Sequence, residues 1–272
     1  WLKYEQSVSN LSLELTEQLR LILEPTLASK LKGDYKTGKR LNMRKIIPYI
    51  ASDFKKDKIW QRRTLPNKRN YNVLLSLDDS LSMSESKSIS LAFQSLALVS
   101  KSLNLLEIGN LAVIGFGDSI NKLHSFDSPF NENSGAHLIS NLHFNQTKTN
   151  TKHLLETALD MFSSLNSISN IDNWNLHIIL SDGICDDHQT LRSIVRQSLE
   201  HKIMTLFVVL DKRSDKDSIL NIKSVQYEKV GDSFKMKVKS YMDSFPFDYY
   251  VVLNNIEHLP NVLGMALKQW FE

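Results

Sequence analysis

Apolar and polar positions change their spacing near residue 70, and this change divides the chain into two parts. Within residues 11–23 the apolar positions recur at helical spacing, which predicts an amphipathic helix that Pro25 would end. From residue 71 onward, apolar runs of strand length alternate with helical patterns. Because nearly continuous apolar strands alternate with helices, we predict an α/β domain over residues 71–272, with a mostly parallel sheet covered by helices on both faces.

The second part contains six predicted strands and four longer predicted helices. The strands cover residues 71–77, 111–116, 119–126, 175–180, 203–210 and 249–253. The helices cover residues 88–103, 152–165, 189–201 and 256–271. The third strand follows the second across the turn Gly117-Asp118, so it should run antiparallel to the second, and residues 127–146 are predicted to form a polar loop.

Two segments depart from this alternation. Residues 1–70 are predicted to form an N-terminal helix and an irregular basic arm, with a short helix near residues 46–54, that pack on the domain. Residues 211–245 are predicted to form a long insertion before the last strand, with a hairpin near residues 225–238. Connections of this length are usually functional or disordered, so we expect the insertion to serve docking or localisation.

The charges are unevenly distributed, although the formal net charge is only +3. Residues 30–69 carry 14 Lys or Arg and 3 Asp side chains, whereas the rest of the chain carries 19 basic and 27 acidic side chains. This asymmetry indicates two surfaces with different partners. The single cysteine, Cys185, excludes an internal disulfide and favours an intracellular compartment. No apolar run predicts a membrane span, and the first residue, Trp1, leads us to expect a piece of a longer protein.

Oxygen-bearing side chains follow strands or precede helices at three places. Asp78, Ser80 and Ser82 form a D-x-S-x-S pattern after the first strand, Asp182 follows the fourth strand, and Thr149 lies before a helix. Asp78 and Asp182 should converge where the strand order of a parallel sheet reverses. Hydroxyl and carboxylate oxygens suit Mg²⁺, whereas zinc or copper would favour thiolate or imidazole ligands. The pattern therefore predicts a magnesium site, with Mn²⁺ or Ca²⁺ as alternative ions in vitro.

The D-x-S-x-S…T…D pattern occurs in order over residues 71–272 and resembles the metal-ion-dependent adhesion site (MIDAS) of the von Willebrand A family. The resemblance implies a doubly wound sheet of six strands in the order 3-2-1-4-5-6. The metal-site residues that it implies are Asp78, Ser80, Ser82, Thr149 and Asp182. Thr147 and Thr151 remain alternatives to Thr149. In that family one coordination position stays open for a carboxylate of the partner protein.

Other segments resemble a narrower family, the giant dynein-like AAA+ ATPases that remove assembly factors from nascent large ribosomal subunits. These segments cover residues 32–42, 46–51, 57–60, 62–64, 78–84, 245–247 and 269–271. The resemblance is to the carboxy-terminal region of these ATPases. It implies a nuclear recognition domain that binds ubiquitin-like domains of WD40 assembly factors through Mg²⁺, while the parent AAA+ ring supplies the pulling force.

The same residues allow other interpretations. The basic arm offers an alternative function, docking on the pre-60S particle or its RNA, with a structural metal site. The serines could also act only as helix N-cap residues, without a metal. Residues 33–40 nearly spell a phosphate-binding P-loop, but Arg40 replaces the magnesium-binding Ser or Thr and a helix precedes the segment, so no nucleotide binding is expected. A phosphotransferase would need a second acid where Ser80 stands, so no enzymatic activity is expected in this chain.

Overall fold

The structure, a computed structural model, describes residues 1–23, 31–63, 70–86, 88–106, 109–168, 173–185, 187–212, 218–230 and 233–271. Contacts separate two compact units: Trp1–Ile22 with Arg69–Glu272, and Leu23–Lys68. The N-terminal helices thus belong to the main unit, whereas the division expected at residue 70 groups them with the arm. Pro25, expected to end the N-terminal helix, lies outside the described residues.

Helices and strands alternate through most of the chain. The helices are α1 (Leu2–Ser7), α2 (Ser9–Leu23), α3 (Met43–Ala51), α4 (Leu81–Glu85), α5 (Ile89–Leu106), α6 (Glu132–Asn141), α7 (Thr151–Ile168), α8 (His188–Glu200) and α9 (Leu259–Phe271). The strands are β1 (Leu31–Tyr35), β2 (Arg40–Leu41), β3 (Trp60–Arg63), β4 (Asn70–Asp78), β5 (Asn110–Phe116), β6 (Ile120–His124), β7 (Asn173–Ser181), β8 (Ile203–Leu210), β9 (Lys223–Val230), β10 (Ser233–Ser240) and β11 (Tyr249–Leu253).

One six-stranded sheet forms the centre of the main unit, in the order β11-β8-β7-β4-β5-β6. Neighbouring strands are parallel except β5 and β6, which are antiparallel as predicted. In the numbering of the six predicted strands this order reads 6-5-4-1-2-3, so the predicted doubly wound von Willebrand A fold is confirmed. The order reverses between β4 and β7, where the chain leaves one side of the sheet for the other.

The central strands are apolar at successive positions because helices cover both faces of the sheet. In β8 every residue is buried. One face carries a buried cluster that includes Leu74, Phe116, Phe162 and Phe207, and full burial of one such side chain contributes about 1.5–3 kcal/mol. Among the described helices, α5 alone is long and apolar enough to span a membrane, but 67% of it is buried inside the domain, as expected of a core helix.

A helix occupies the middle of the segment that was predicted to be a polar loop, residues 127–146, so that prediction is wrong in part. Asn131 and Ser134 form a capping box at the start of α6, and this arrangement satisfies backbone N–H groups at a helix N-terminus. Inside α6, a Cβ at Gly135 would lie 2.3 Å from the ring of Trp1. This helix is hard to predict from the sequence because it has few apolar positions and contains a glycine, which makes room for a side chain far away in the sequence.

The Leu23–Lys68 unit is more regular than predicted. Strands β1, β3 and β2 form a three-stranded antiparallel sheet, which corrects the expectation of an irregular arm. The predicted short helix is present as α3, with Pro48 inside it and with the Asn42 side chain accepting a hydrogen bond from the N–H of Arg44 at its start. Single strands of two to five residues carry too little periodicity to be recognised.

The insertion before β11 contains the predicted hairpin. Strands β9 and β10 pair antiparallel in continuous register, with Val225 opposite Val238. Short 3₁₀ turns, Ile219–Asn221 and Tyr241–Ser244, stand at its two ends. The hairpin is therefore flanked by two defined turns.

Candidate metal centre

The predicted site lies at one edge of the central sheet, where β4 and β7 end. Asp78 is the last residue of β4, and Asp182 directly follows β7. The two strands are adjacent and parallel, with Leu77 opposite Leu180. This is the point at which the strand order reverses, the usual position of ligand sites in open α/β sheets. The expected convergence of the two aspartates therefore follows from the strand order.

Asp78 is fully buried and its two carboxylate oxygens have different partners. Oδ1 accepts a hydrogen bond from the N–H of Ser80 at 3.0 Å, and Oδ2 accepts one from the Ser181 hydroxyl at 2.6 Å. Burial raises the pKa of Asp78 to about 6; the hydrogen bonds from Ser181 and Ser80 oppose this rise, and the negative charge of Asp182 adds to it. A positive charge at this position would offset both the burial and the repulsion.

Ser80 and Ser82 present their hydroxyl groups together. Their Oγ atoms lie 2.9 Å apart, and Ser80 is buried at 2% exposure while Ser82 is half-buried. Ser80 stands at the N-cap position of α4, but its side chain makes no capping hydrogen bond. The alternative that this serine serves only as a helix cap is therefore not supported by its contacts, because its oxygen faces Ser82 instead.

Asp182 begins the loop that leads from β7 to α8. Its carboxylate is buried at 3% exposure and accepts a hydrogen bond from the N–H of Ile184 at 3.3 Å. The next residue, Gly183, has a φ of +85°, in the left-handed region that favours glycine. A Cβ there would lie 2.6 Å from Cδ1 of Ile219 and 2.8 Å from Cγ1 of Val209. Gly183 thus allows the loop to turn sharply while it stays packed against neighbouring residues.

The third loop approaches the same edge through its backbone. The N–H of Asn150 donates to the carbonyl of Gly117, just beyond the end of β5, at 2.9 Å. Of the three candidate threonines, Thr147 is exposed, Thr149 is half-buried, and the Thr151 hydroxyl is buried and lies 3.9 Å from Sγ of Cys185. Thr149 lines a cleft shared with Asp118 and Asp187. Its assignment as a metal ligand stays a prediction.

The donor set is of one chemical kind. Two serine hydroxyls and two buried carboxylates lie at this edge, and within the described ranges no group of three or more His, Cys, Asp or Glu side chains is placed to hold a metal. Zinc sites typically use four such nitrogen or sulfur ligands, whereas Mg²⁺ takes oxygens and retains water. Asp78, Ser80, Ser82 and Asp182 therefore fit a small, hard divalent cation.

Two relatives match essentially the whole chain. Midasin of Dictyostelium discoideum is 43% identical over 274 residues, covering 100% of this chain, and Midasin of Giardia intestinalis is 38% identical over 271 residues, covering 98% of it. The chain belongs to the midasin family. It spans only 5% and 6% of the lengths of these two relatives. No family model matches the chain. The narrower resemblance stated from sequence motifs is thereby confirmed at the level of the family.

Solved structures resemble this segment of the midasin family at low identity. Proximal thread matrix protein 1 from the mussel byssus is 12% identical with a TM-score of 0.50, over 73% of this chain and 47% of that one. Manganese-loaded TRAP of Plasmodium vivax is 11% identical with a TM-score of 0.48, over 75% of this chain and 74% of that one. At such identities the similarity concerns the fold alone.

Sequence reasoning missed several residues that build the site of this midasin relative. Ser181 donates to Asp78, and Gln146 connects two loops: its carbonyl oxygen accepts from the N–H of Leu81 at 2.8 Å and its Oε1 accepts from the N–H of Ser119 at 3.0 Å. Ser181 stands beside Asp182 and could have been suspected from that position. Gln146 carries no local signal, because its partners lie far away in the sequence.

Proposed function

We propose that this chain is a magnesium-dependent protein-recognition domain of a midasin-family ATPase. The observation that carries the proposal is the pair of hydroxyl oxygens of Ser80 and Ser82, 2.9 Å apart, at the sheet edge where the buried carboxylates of Asp78 and Asp182 meet. Together with Thr149, these residues would hold the ion. Bound Mg²⁺ would supply a Lewis-acidic centre that attracts a carboxylate of the partner.

The proposed partners are ubiquitin-like domains of WD40 assembly factors, grasped so that the AAA+ ring can pull them from the pre-60S particle. Support comes from the midasin name of both relatives and from the sequence resemblance described above. The proposed location is the nucleus, in the nucleolus and nucleoplasm. The oxygen-bearing side chains at the site suit a bound cation, so we propose a binding role without catalysis for this chain.

Calorimetric titration with Mg²⁺ tests the ion site. The double variant Ser80→Ala with Ser82→Ala should lose saturable Mg²⁺ binding while circular dichroism shows the fold unchanged. Ser84→Ala is the matched control, because Ser84 lies in the same short helix but is exposed, and it should bind as the unchanged chain does. Equal Mg²⁺ binding by the double variant would refute this ligand assignment.

Partner capture tests the function. A recombinant ubiquitin-like domain of a WD40 assembly factor should bind the chain in Mg²⁺, and binding should disappear in EDTA and return with excess Mg²⁺. An RNA fragment that binds the chain in EDTA, with an affinity that falls steeply with salt, would instead support docking through the basic arm, since this salt dependence reports charge neutralisation on a nucleic acid. Such RNA binding, without magnesium-dependent binding of the ubiquitin-like domain, would reject the proposed mode of recognition.

A further inference from the structure

The two ends of the insertion are tied together at the surface of the domain. The carboxylate Oδ2 of Asp211 accepts hydrogen bonds from the Ser218 hydroxyl at 2.6 Å and from the N–H of Ile219 at 3.0 Å. At the other end, the N–H of Tyr241 donates to the carbonyl of Ile222 at 2.9 Å. The hairpin β9–β10 therefore stands on a base in which the two 3₁₀ turns are joined by a hydrogen bond.

Tyr241 connects this base to the loop that carries Asp182. Its hydroxyl accepts a hydrogen bond from the N–H of Cys185 at 2.9 Å and lies 3.1 Å from the carbonyl oxygen of Gly183, to which it can donate. The same hydroxyl is 3.2 Å from Nε2 of His188, at the start of α8. One side chain of the insertion thus contacts the backbone on both sides of Ile184, immediately after Asp182.

Ile219 makes a second connection to the same loop. It is 1% exposed, and its Cδ1 atom is the nearest neighbour of the position that a Cβ on Gly183 would take, at 2.6 Å. Gly183 has a positive φ and no side chain, so Ile219 packs directly on the loop backbone, and this contact restricts a residue that would otherwise be conformationally permissive. The polar contact of Tyr241 and the apolar contact of Ile219 come from opposite ends of the insertion and meet on the loop that follows Asp182.

We propose that Tyr241 and Ile219 are positioning residues through which the insertion sets the cation affinity of the site. This inference rests on the proposed function, because it assumes that Asp182 helps to hold a divalent cation. Holding the loop in one conformation before the ion arrives lowers the ordering cost of binding. Coupling between two sites is reciprocal, so an ion at Asp182 should also stabilise the base of the insertion. A load or a partner on the hairpin would then change how firmly the site holds its ion.

The hydroxyl of Tyr241 can be removed without removing its ring. Calorimetric titration of Tyr241→Phe with Mg²⁺ should show affinity lowered about fivefold, the effect expected for one hydrogen bond. Tyr250→Phe is the matched control, because Tyr250 is exposed and its ring also packs near Phe245; it should leave the affinity unchanged. Ile219→Val removes only the methyl group that reaches Gly183, and we expect a smaller loss in the same direction.

Hydrogen exchange tests the coupling separately. If Tyr241 only supported the fold, Mg²⁺ would not change amide exchange at the base of the insertion. Saturating Mg²⁺ should slow exchange at the amides of Ile219 and Tyr241, in the base of the insertion, as well as at Cys185. In the Tyr241→Phe variant, Mg²⁺ should slow exchange at the Ile219 amide less than it does in the wild-type chain, while the melting temperature changes little.

The outcomes separate the two proposals. If the unchanged chain shows no saturable Mg²⁺ binding, the proposed function fails and this inference fails with it. If the unchanged chain binds Mg²⁺ and Tyr241→Phe binds it equally well, with no slowing of exchange at the insertion base, the metal site stands and the coupling alone is overturned.

Discussion

The carboxylate of Asp79 accepts a hydrogen bond from the backbone N–H of Phe144 at 2.6 Å. The same Oδ1 accepts one from the N–H of His143 at 2.9 Å, and Oδ2 accepts one from Nε2 of Gln146 at 2.9 Å. Asp79 is 2% exposed. Two adjacent aspartates therefore have separate tasks: Asp78 faces the proposed ion, and Asp79 fastens the loop that leads toward Thr149.

Replacing Asp79 by Asn should lower the free energy of unfolding by about 2 kcal/mol. The reason is that the side chain of Asn has only one acceptor oxygen, so its NH₂ group would face one of the donors that the carboxylate now satisfies. Urea unfolding followed by circular dichroism measures this change. Asp160→Asn is the control, since Asp160 is an exposed carboxylate on α7, and it should have almost no effect. Equal stability of the two variants would show that the loop is held by other contacts.

The main fold could be predicted from the sequence because its signals are local. The parallel strands are apolar at successive positions, as in β8, where all residues are buried, and such runs are visible without knowing any contact. The arm sheet and α6 were missed because the reasons for them are distant: short strands are defined by their partners, and Gly135 in α6 makes room for Trp1.

The candidate site, like the fold, could be predicted only where its signals are local. Asp78, Ser80, Ser82 and Asp182 were identified from their spacing, from strand ends and from the family resemblance. The structure places them at one edge of the sheet, and their role as metal ligands stays a prediction. The contacts of Asp79 with Phe144 and of Tyr241 with Cys185 span 65 and 56 residues. Hydrogen bonds over such separations leave no pattern in the sequence, so the residues that hold the loops could not be predicted.

His177 should make the stability of the domain dependent on pH. It is buried in β7, its Nε2 lies 2.7 Å from the Ser76 hydroxyl, and burial lowers its pKa to about 3. In the unfolded chain its pKa would be near 6.5. Because the unfolded state binds the proton more readily, the stability that neutral His177 provides is present above pH 6.5 and is lost as the pH falls toward 3.

Between pH 7 and 5.5 this group should therefore lower the free energy of unfolding by about 1 kcal/mol. Asp78 acts in the opposite direction, because burial raises its pKa to about 6. Urea unfolding at both pH values gives the change in the free energy of unfolding for the wild-type chain and for His177→Gln. The difference between these two changes is the contribution of His177. If the variant loses stability with falling pH as steeply as the unchanged chain, His177 is not the responsible group.

The near P-loop should bind no nucleotide. The N–H of Lys39, which would have to face a phosphate, donates to the carbonyl of Gln61 at 3.0 Å. A Cβ at Gly38 would lie 2.5 Å from that same oxygen, so this glycine is explained by the close approach of β3. A titration with a fluorescent ATP analogue and Mg²⁺ should show no saturation, and Lys39→Ala should behave identically. Saturable binding that this substitution abolishes would contradict the prediction.

The hairpin of the insertion should be dispensable for the ion and required in the cell. Replacing residues 224–239 with a short Gly-Ser linker keeps Ile219 and Tyr241, so Mg²⁺ binding should remain. The same replacement in the full-length protein should impair nuclear entry or docking of this domain on the proposed AAA+ ring. Fluorescence microscopy and growth complementation measure these effects, with a silent linker of the same composition inserted after Glu200, at the end of α8, as the control. Normal localisation and growth would dismiss a role for the hairpin.

A carboxylate of the partner should complete the metal shell, because the proposed protein ligands leave the ion under-neutralised. As proposed ligands, Ser80, Ser82 and Thr149 would coordinate as neutral hydroxyls, so negative charge would come only from Asp78 and Asp182. A divalent ion with few charged ligands is electrophilic and attracts one further anionic oxygen. A contact made through one ion is short and directional, which would suit the proposed role of transmitting a pulling force and then releasing the partner.

The partner's acid is expected to be Glu or Asp; where it is Glu, changing it to Gln in the proposed ubiquitin-like partner keeps its shape and removes its charge. Affinity in Mg²⁺ should then fall by at least about tenfold, close to the residual binding seen in EDTA, since an amide is a much weaker ligand for a hard cation. Glu→Asp should cost less where the partner loop can adjust. Both changes are measured by calorimetry in Mg²⁺ and in EDTA. A partner whose exposed acids near the contact can all be neutralised without loss of magnesium-dependent affinity would rule out a bridging carboxylate.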